Sequence, residues 1–196
     1  MKHASLRKRF IAFVIDTLIV SLFVSIISSG YNTTRVDVLN KELNEVMNKY
    51  VSEEISETEY VEAVSSIGYD ISKANMVGNS IYVVICIGYF VMFQYLNNGA
   101  SIGKRIMNIK VLTKDNKKAN IFRLFLHSCI IYEMLPILLG LLFLYLFRGY
   151  TFLLLSGLVN LSCFVFLIVS IFMIWKREDK LALNDIMSGC IVIESK

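Results

Sequence analysis

The chain has 196 residues, of which 56% are hydrophobic and 18% charged, with one proline and a net charge of +4. A soluble domain of this size is usually about 45–50% apolar and about 25% charged, so an ordinary soluble globule is excluded. Two histidines and four cysteines without a C-x-x-C spacing make a zinc site or a disulfide framework improbable.

The apolar excess falls in long runs. The first predicted span covers about 10–29 within "RKRFIAFVIDTLIVSLFVSIISS", behind a basic start of Lys2, Arg7, Lys8 and Arg9. A signal-peptide core is about 7–15 residues long and uncharged, whereas this run is longer and carries Asp16. It is therefore expected to stay in the membrane. At about 1.5 Å per residue, Asp16 lies about 9 Å beyond Phe10, in the inner third of a bilayer. A charged aspartate at the bilayer centre costs about 2.5–3.5 kcal/mol on insertion scales, so it needs a partner or water. Thr17, Ser21, Ser25 and Ser28 form a small hydroxyl seam suited to close helix packing.

Residues 30–75 form a loop with nine acidic and four basic residues. Leu39, Leu43, Val46, Met47, Tyr50 and Val51 recur at helical spacing. Ser56 stands three residues before Glu59, a capping-box pattern that opens a second helix. Two short amphipathic helices are expected, read as a solvated cap or, functionally, as a docking face for a cationic partner.

The second predicted span is 76–96 and leads into a connection over 97–123. Within it, "GASIGKR" leaves three residues between Gly99 and Gly103, one too few for a phosphate-binding loop, and Arg105 replaces the required hydroxyl. "NIKVLTKDNKKAN" reads as a strand, a turn at Asp115–Asn116 and a return. The third span is placed at about 124–147, with Arg123, His127 and Glu133 and a kink expected at Pro136. The fourth is placed at 152–175 and carries Asn160. A tail over 176–196 follows.

Fifteen of the twenty Lys and Arg lie in the N-terminus, the 97–123 connection and the tail. Lys- and Arg-rich short loops stay in the cytoplasm, so both termini are expected there and the acidic loop outside. Tyr95, Tyr145, Tyr150 and Trp175 suit interfacial belts. The basic residues then serve topology and anionic-lipid contact, and no nucleic-acid platform is present. Cys86, Cys129, Cys163 and Cys190 read as small buried apolar residues.

Three stretches in this order resemble the RDD family of bacterial integral membrane proteins, named for one arginine and two aspartates. They are Arg9 with "FIAFVIDTLIV", then "GASIGKRIMNIKVL", then "LALNDIMSGCIVI". The resemblance implies Arg9, Asp16 and Asp185 as the characteristic residues. It also implies a bacterial cell-membrane location and a role in ion or small-solute transport, including cation/proton exchange. The tail departs from the family pattern at Asn184, where a histidine is common, and at Cys190, where a threonine is common.

The expected architecture is an all-α membrane protein. It is a four-span transmembrane helix bundle with a helical extracytoplasmic loop and a small cytoplasmic β element, in one domain over 1–196. Asp16 and Glu133, matched in depth, form a candidate ion or proton site with Asn160, supported by Arg123, His127 and Arg105. Two carboxylates that close cannot both ionise cheaply in a low dielectric. The competing reading makes Asp16 a structural anchor held by Arg123 or His127. Asp185 is expected against Arg9 or Arg105, and 190–193 is expected to pair with 109–112. No enzyme signature or cofactor fingerprint is found. The expected partners are membrane lipid and either further copies or a membrane partner protein. Transport is the leading function, and a non-transporting accessory or immunity-type subunit is the alternative.

Overall fold

The structure, a computed structural model, describes residues 2–28 and 34–195. The expected exit of the first span at 29–30 lies outside them. Helix α1, Leu6–Ser28, is apolar all round. Phe10, Leu18 and Leu22 are exposed, while Ala12, Asp16 and Val20, four residues apart, face inward. A helix apolar on every side suits a lipid surround. The inward face is narrow and made of small or polar groups.

Helices α2 (Thr34–Val51) and α3 (Glu57–Ala74) form the expected amphipathic pair. Ser56 caps α3 with the reciprocal box read from the sequence: its Oγ accepts from Glu59 N and its own N–H donates to the Glu59 carboxylate. Tyr50 and Tyr60 stack across the pair. Helix α3 also packs on the later helices, with Tyr69 donating to Leu144 O at 3.1 Å and meeting Phe152 edge-on.

Helix α4, Met76–Leu96, is the second long apolar helix. Its Ile87–Phe93 segment is π-helical. The wider turn buries three successive side chains, Tyr89, Phe90 and Val91. Such bulges concentrate at functional sites. A five-residue helix α5 (Ile102–Ile106) and strand β1 (Ile109–Thr113) follow.

The third expected span is not one helix. Helix α6 ends at Ser128 (Ile121–Ser128) and α7 begins at Met134 (Met134–Leu146), with Glu133 between them in the left-handed region at φ 55°. The expected kink at Pro136 is instead a full break upstream of it. Proline has no N–H, and its ring clashes with the carbonyl four residues earlier, so it suits only the first turn of a helix. Pro136 is the third residue of α7, where no intrahelical donor is needed. The break is internally bonded through Tyr132 N to Ser128 O and Leu135 N to Cys129 O.

Helix α8, Gly149–Lys176, is the longest and the most exposed of the apolar helices. Three helices (α1, α4 and α8) are thus long and apolar enough to cross a membrane, and α7 is a shorter apolar one. Helix α9 (Leu183–Ser188) ends at Gly189, whose φ of 65° turns the chain into strand β2 (Cys190–Glu194). The strands pair antiparallel, Ile109 opposite Glu194 and Thr113 opposite Cys190. Leu112 and Lys118 form an isolated bridge, so the expected return after Asp115–Asn116 is reduced to a single contact. His3 bridges Ile193, and Ala4 N donates to Val192 O, so the two ends of the chain meet at this sheet.

The apolar core lies between α1, α4 and the break. Val20, Cys86, Phe90, Ile130, Tyr132 and Met134 pack together, with Phe90 stacked on Tyr132.

Candidate functional site

Asp16 is completely buried on the inward face of α1. Its Oδ1 accepts from the Tyr89 hydroxyl at 2.7 Å and from Gly103 N at 2.8 Å, and its Oδ2 accepts from the Ser101 hydroxyl at 2.5 Å. Ser101 is itself the N-cap of α5 and accepts from Lys104 N. The Tyr89 oxygen also accepts from Ile102 N at 3.1 Å. A carboxylate of α1 thus sits on the free N–H groups that open α5, where a negative charge is favoured. Hydrogen bonds to a charged group contribute about 1.5–3 kcal/mol each, so three of them outweigh the insertion cost of the aspartate.

Gly103 makes this approach sterically feasible. A Cβ there would lie 2.4 Å from Ala12 O and 2.8 Å from Asp16 Oδ1. The glycine of "SIGKR" is explained by the closeness of two backbones.

The second carboxylate, Asp185, is also fully buried. Arg9 Nη1 donates to it at 2.6 Å, His127 Nε2 lies 3.0 Å away, and Ala182 N donates at 3.0 Å. Since the carboxylate only accepts, His127 Nε2 carries a proton. Arg9 is held further by Lys180 O and Ala4 O. Burial pushes the Asp185 carboxyl up, but the His127 hydrogen bond, the Arg9 charge and the Ala182 amide hold it down at about 2. Asn184, beside it, donates to His127 O at 3.3 Å and anchors α9 to α6.

Between the two acids lies Lys104, 6% exposed. Its ammonium donates to Gln94 Oε1 at 2.8 Å, and among the described residues no carboxylate comes within ion-pair distance. Burial pulls its pKa from 10.5 down to about 8; the charges of Asp16 and Asp185 resist the fall and Arg9 adds to it. The buried ammonium therefore holds its proton less tightly than a solvated lysine does.

A family profile for the RDD family matches residues 3–189, a region that contains Arg9, Asp16 and Asp185. The chain belongs to the RDD family. No curated protein and no solved structure matches it. The RDD family is a membrane family, in keeping with the three long apolar helices.

Seen as an RDD protein, the chain places its candidate residues unevenly. Arg9 and Asp185 meet directly; Asp16 lies in a separate bonding set linked to them through the environment of Lys104. His127 joins Asp185 rather than Asp16. Arg123 donates to Gly189 O at 3.2 Å, outside both sets. Arg105 is exposed and reaches only Asn97, at 3.4 Å.

The proposed pairing of Asp16 with Glu133 and Asn160 is not assembled. Glu133 is exposed at the break, and Asn160 is exposed and donates to Ser156 O of its own helix. Glu133, in the left-handed region, has an exposed side chain at the break, away from the inward face that buries Asp16. Tyr89, Gln94, Ser101, Gly103 and Lys104 went unread as site residues. The signal for three of them was present in "SIGKR": a capping serine, then a glycine two residues on, then a lysine.

Among the described residues no group of three or more His, Cys, Asp and Glu side chains could hold a metal ion, and all four cysteines are free.

Proposed function

We propose that this RDD protein carries a small ion or solute across a bacterial cell membrane with a linked proton movement, as a non-enzymatic carrier. In this reading the chain crosses four times. Helix α7, at about 1.5 Å per residue, spans about 20 Å and is too short alone for a core of about 30 Å. The third crossing is completed by the break and α6. Both termini and the 97–123 connection then lie in the cytoplasm, and α2 and α3 lie outside, as the Lys and Arg distribution favours.

The observation that carries the reading is the break at 129–133 packed against the π-helical segment of α4, with Tyr132 and Phe90 stacked between them. Irregular backbone at membrane depth is tolerated where it is enclosed by protein or lines a cavity, and broken helices mark the sites of many carriers. The proton-handling groups are Lys104 and His127, in place of the Asp16 and Glu133 pair, with Asp185 as the ionised partner that orients His127.

The test is flux in proteoliposomes under imposed Na⁺, K⁺ and H⁺ gradients. Flux that falls in Lys104→Met while the protein stays folded supports the proposal. Silence of well-folded protein under every gradient favours the second reading, an accessory or immunity-type subunit. The full engagement of Asp16 as a structural joint is the observation behind that reading. The crossing by α4 is checked separately: single cysteines at Ser56 and Asn116, in a cysteine-free background, should label from opposite sides.

A further inference from the structure

A cavity of about 280 Å³ opens between α1 and α8 near the ends of the chain. Its polar lining includes Arg9, Lys104, His127 and Ser170, and its apolar lining includes Phe10 and Ile171. Phe10 and Ile171 are more than half exposed, so the cavity reaches the outer surface of two lipid-facing helices. Access is sideways, through an apolar rim.

The polar side is incompletely satisfied. His127 is 3% and Ser170 is 4% exposed, and His127 Nδ1 and Ser170 Oγ have no hydrogen-bond partner among the described residues. Buried polar groups left unpaired cost about 1–3 kcal/mol each, so a ligand that pairs them gains that much. Both aspartates nearby are already consumed: Asp185 by Arg9, His127 and Ala182, and Asp16 by Tyr89, Ser101 and Gly103. Lys104 has three donors and uses one on Gln94. The Arg9 and Lys104 charges are balanced by Asp16 and Asp185, and what is left over is donors, two on Lys104 and the Ser170 hydroxyl, which call for an acceptor-rich group such as a phosphate. Because His127 Nε2 is the protonated nitrogen, Nδ1 offers a lone pair and asks for a donor. A bare phosphodiester cannot provide one, but a hydroxyl on the head group can.

We propose that this cavity binds one anionic phospholipid whose head group carries a free hydroxyl. Its phosphate accepts from Lys104 and Ser170, its hydroxyl donates to His127 Nδ1, and an acyl chain leaves past Phe10 and Ile171. The assignment stands whether or not the protein carries any flux.

The test uses the full chain, delipidated in detergent, with dioleoyl phosphatidylglycerol added and bound lipid counted by native mass spectrometry. One lipid per chain should be retained, with dioleoyl phosphatidylcholine at least about tenfold weaker, because choline has no hydroxyl to donate to His127 Nδ1 and sets a cation among the Arg9 and Lys104 donors. Dioleoyl phosphatidylmethanol, anionic but without a head-group hydroxyl, should fall between the two. Ser170→Leu, which fills the cavity and removes one phosphate donor, should abolish retention, and Lys104→Met should weaken it about tenfold by the loss of a charged donor. Should Lys104→Met fail to give monodisperse protein, Ser170→Leu alone decides. Equal retention of the glycerol and choline lipids overturns the proposal, as does full retention in folded Ser170→Leu. Competition by soluble glycerol phosphate at the same concentration as the lipid would also overturn it, by making this a soluble-anion site.

Discussion

Replacing Lys104 by methionine should stabilise the protein at neutral pH. Burial lowers the Lys104 pKa from 10.5 to about 8, even with Asp16 and Asp185 nearby to favour its charge. At about 1.4 kcal/mol per pH unit, holding the ammonium charged in the folded state costs about 3 kcal/mol below pH 8. Methionine has nearly the same length and removes that cost, while the lost hydrogen bond to Gln94 takes back about 1 kcal/mol. The net gain at pH 7 should be about 2 kcal/mol. Linkage supplies a second signature. Between about pH 8 and 10.5 the unfolded chain binds the Lys104 proton and the folded chain does not, so this group makes stability rise with pH over that window. The assay is thermal unfolding in detergent at half-unit pH steps, wild type against Lys104→Met. The difference should favour the variant by about 2 kcal/mol below pH 8, pass through zero between about pH 8 and 10.5, and favour wild type by about 1 kcal/mol above that window. A variant that melts lower than wild type at pH 7, with a difference that does not change with pH, would refute the reasoning and make Lys104 a plain structural cation.

The carboxylates should behave in the opposite sense. Asp16→Leu leaves Gly103 N, Ser101 Oγ and Tyr89 Oη without their acceptor and should cost more than about 4 kcal/mol, while Tyr89→Phe should cost about 1–2, both read from melting in detergent. Asp185→Asn breaks a buried pair and should cost about 3–5 kcal/mol at pH 7. Because the Asp185 pKa is lowered from 3.8 to about 2, its contribution is complete above about pH 4 and is lost as pH falls through 2, so the acid limb of the wild-type melting profile should flatten in the variant. Gly103→Ala should cost about 1–3 kcal/mol by overpacking against Ala12 O, whereas Gly157→Ala, with nothing within 4 Å, should be neutral or stabilising by up to about 1 kcal/mol.

The architecture was readable where one physical signal dominated. Run length and hydropathy found α1, α4 and α8, and the Ser56–Glu59 spacing found the cap of α3. Short apolar stretches at 109–112 and 190–193, both expected on the inner side, pointed to the strands that pair. The third apolar run misled because hydropathy measures lipid compatibility and is blind to backbone continuity. Pro136 was visible, but whether proline kinks a helix or ends one depends on what the preceding four residues pack against. Here the chain leaves helical geometry at Glu133, whose φ is 55°, next to Tyr132 stacked on Phe90. The site was half legible. Opposite charges on the same inner side pointed Asp185 to Arg9 or Arg105, and it meets Arg9, whereas the Asp16 partners are a tyrosine hydroxyl, a serine hydroxyl and a backbone amide, which carry no charge signal. Matching depths along two helices suggested Glu133 instead, and depth fixes one coordinate out of three.

These arrangements together change the meaning of an aspartate inside an apolar helix. A lone carboxylate at that depth invites an ion or a proton, yet Asp16 already accepts three hydrogen bonds from the start of α5 and from Tyr89. Its partner segment is short: five residues form less than two turns and would not hold a helix in isolation. The carboxylate at its N-terminus supplies what propensity does not, and fixes the direction in which residue 104 leaves the backbone. Asp185 does the same from the other side, drawing together Arg9 of α1, His127 of α6 and the start of α9. The arginine and two aspartates therefore join segments that are remote in sequence, and the group enclosed between those joints is an ammonium with one hydrogen-bond partner. A charge that weakens the fold and is nonetheless held from two directions has the character of a site, so functional tests belong at Lys104 before Asp16.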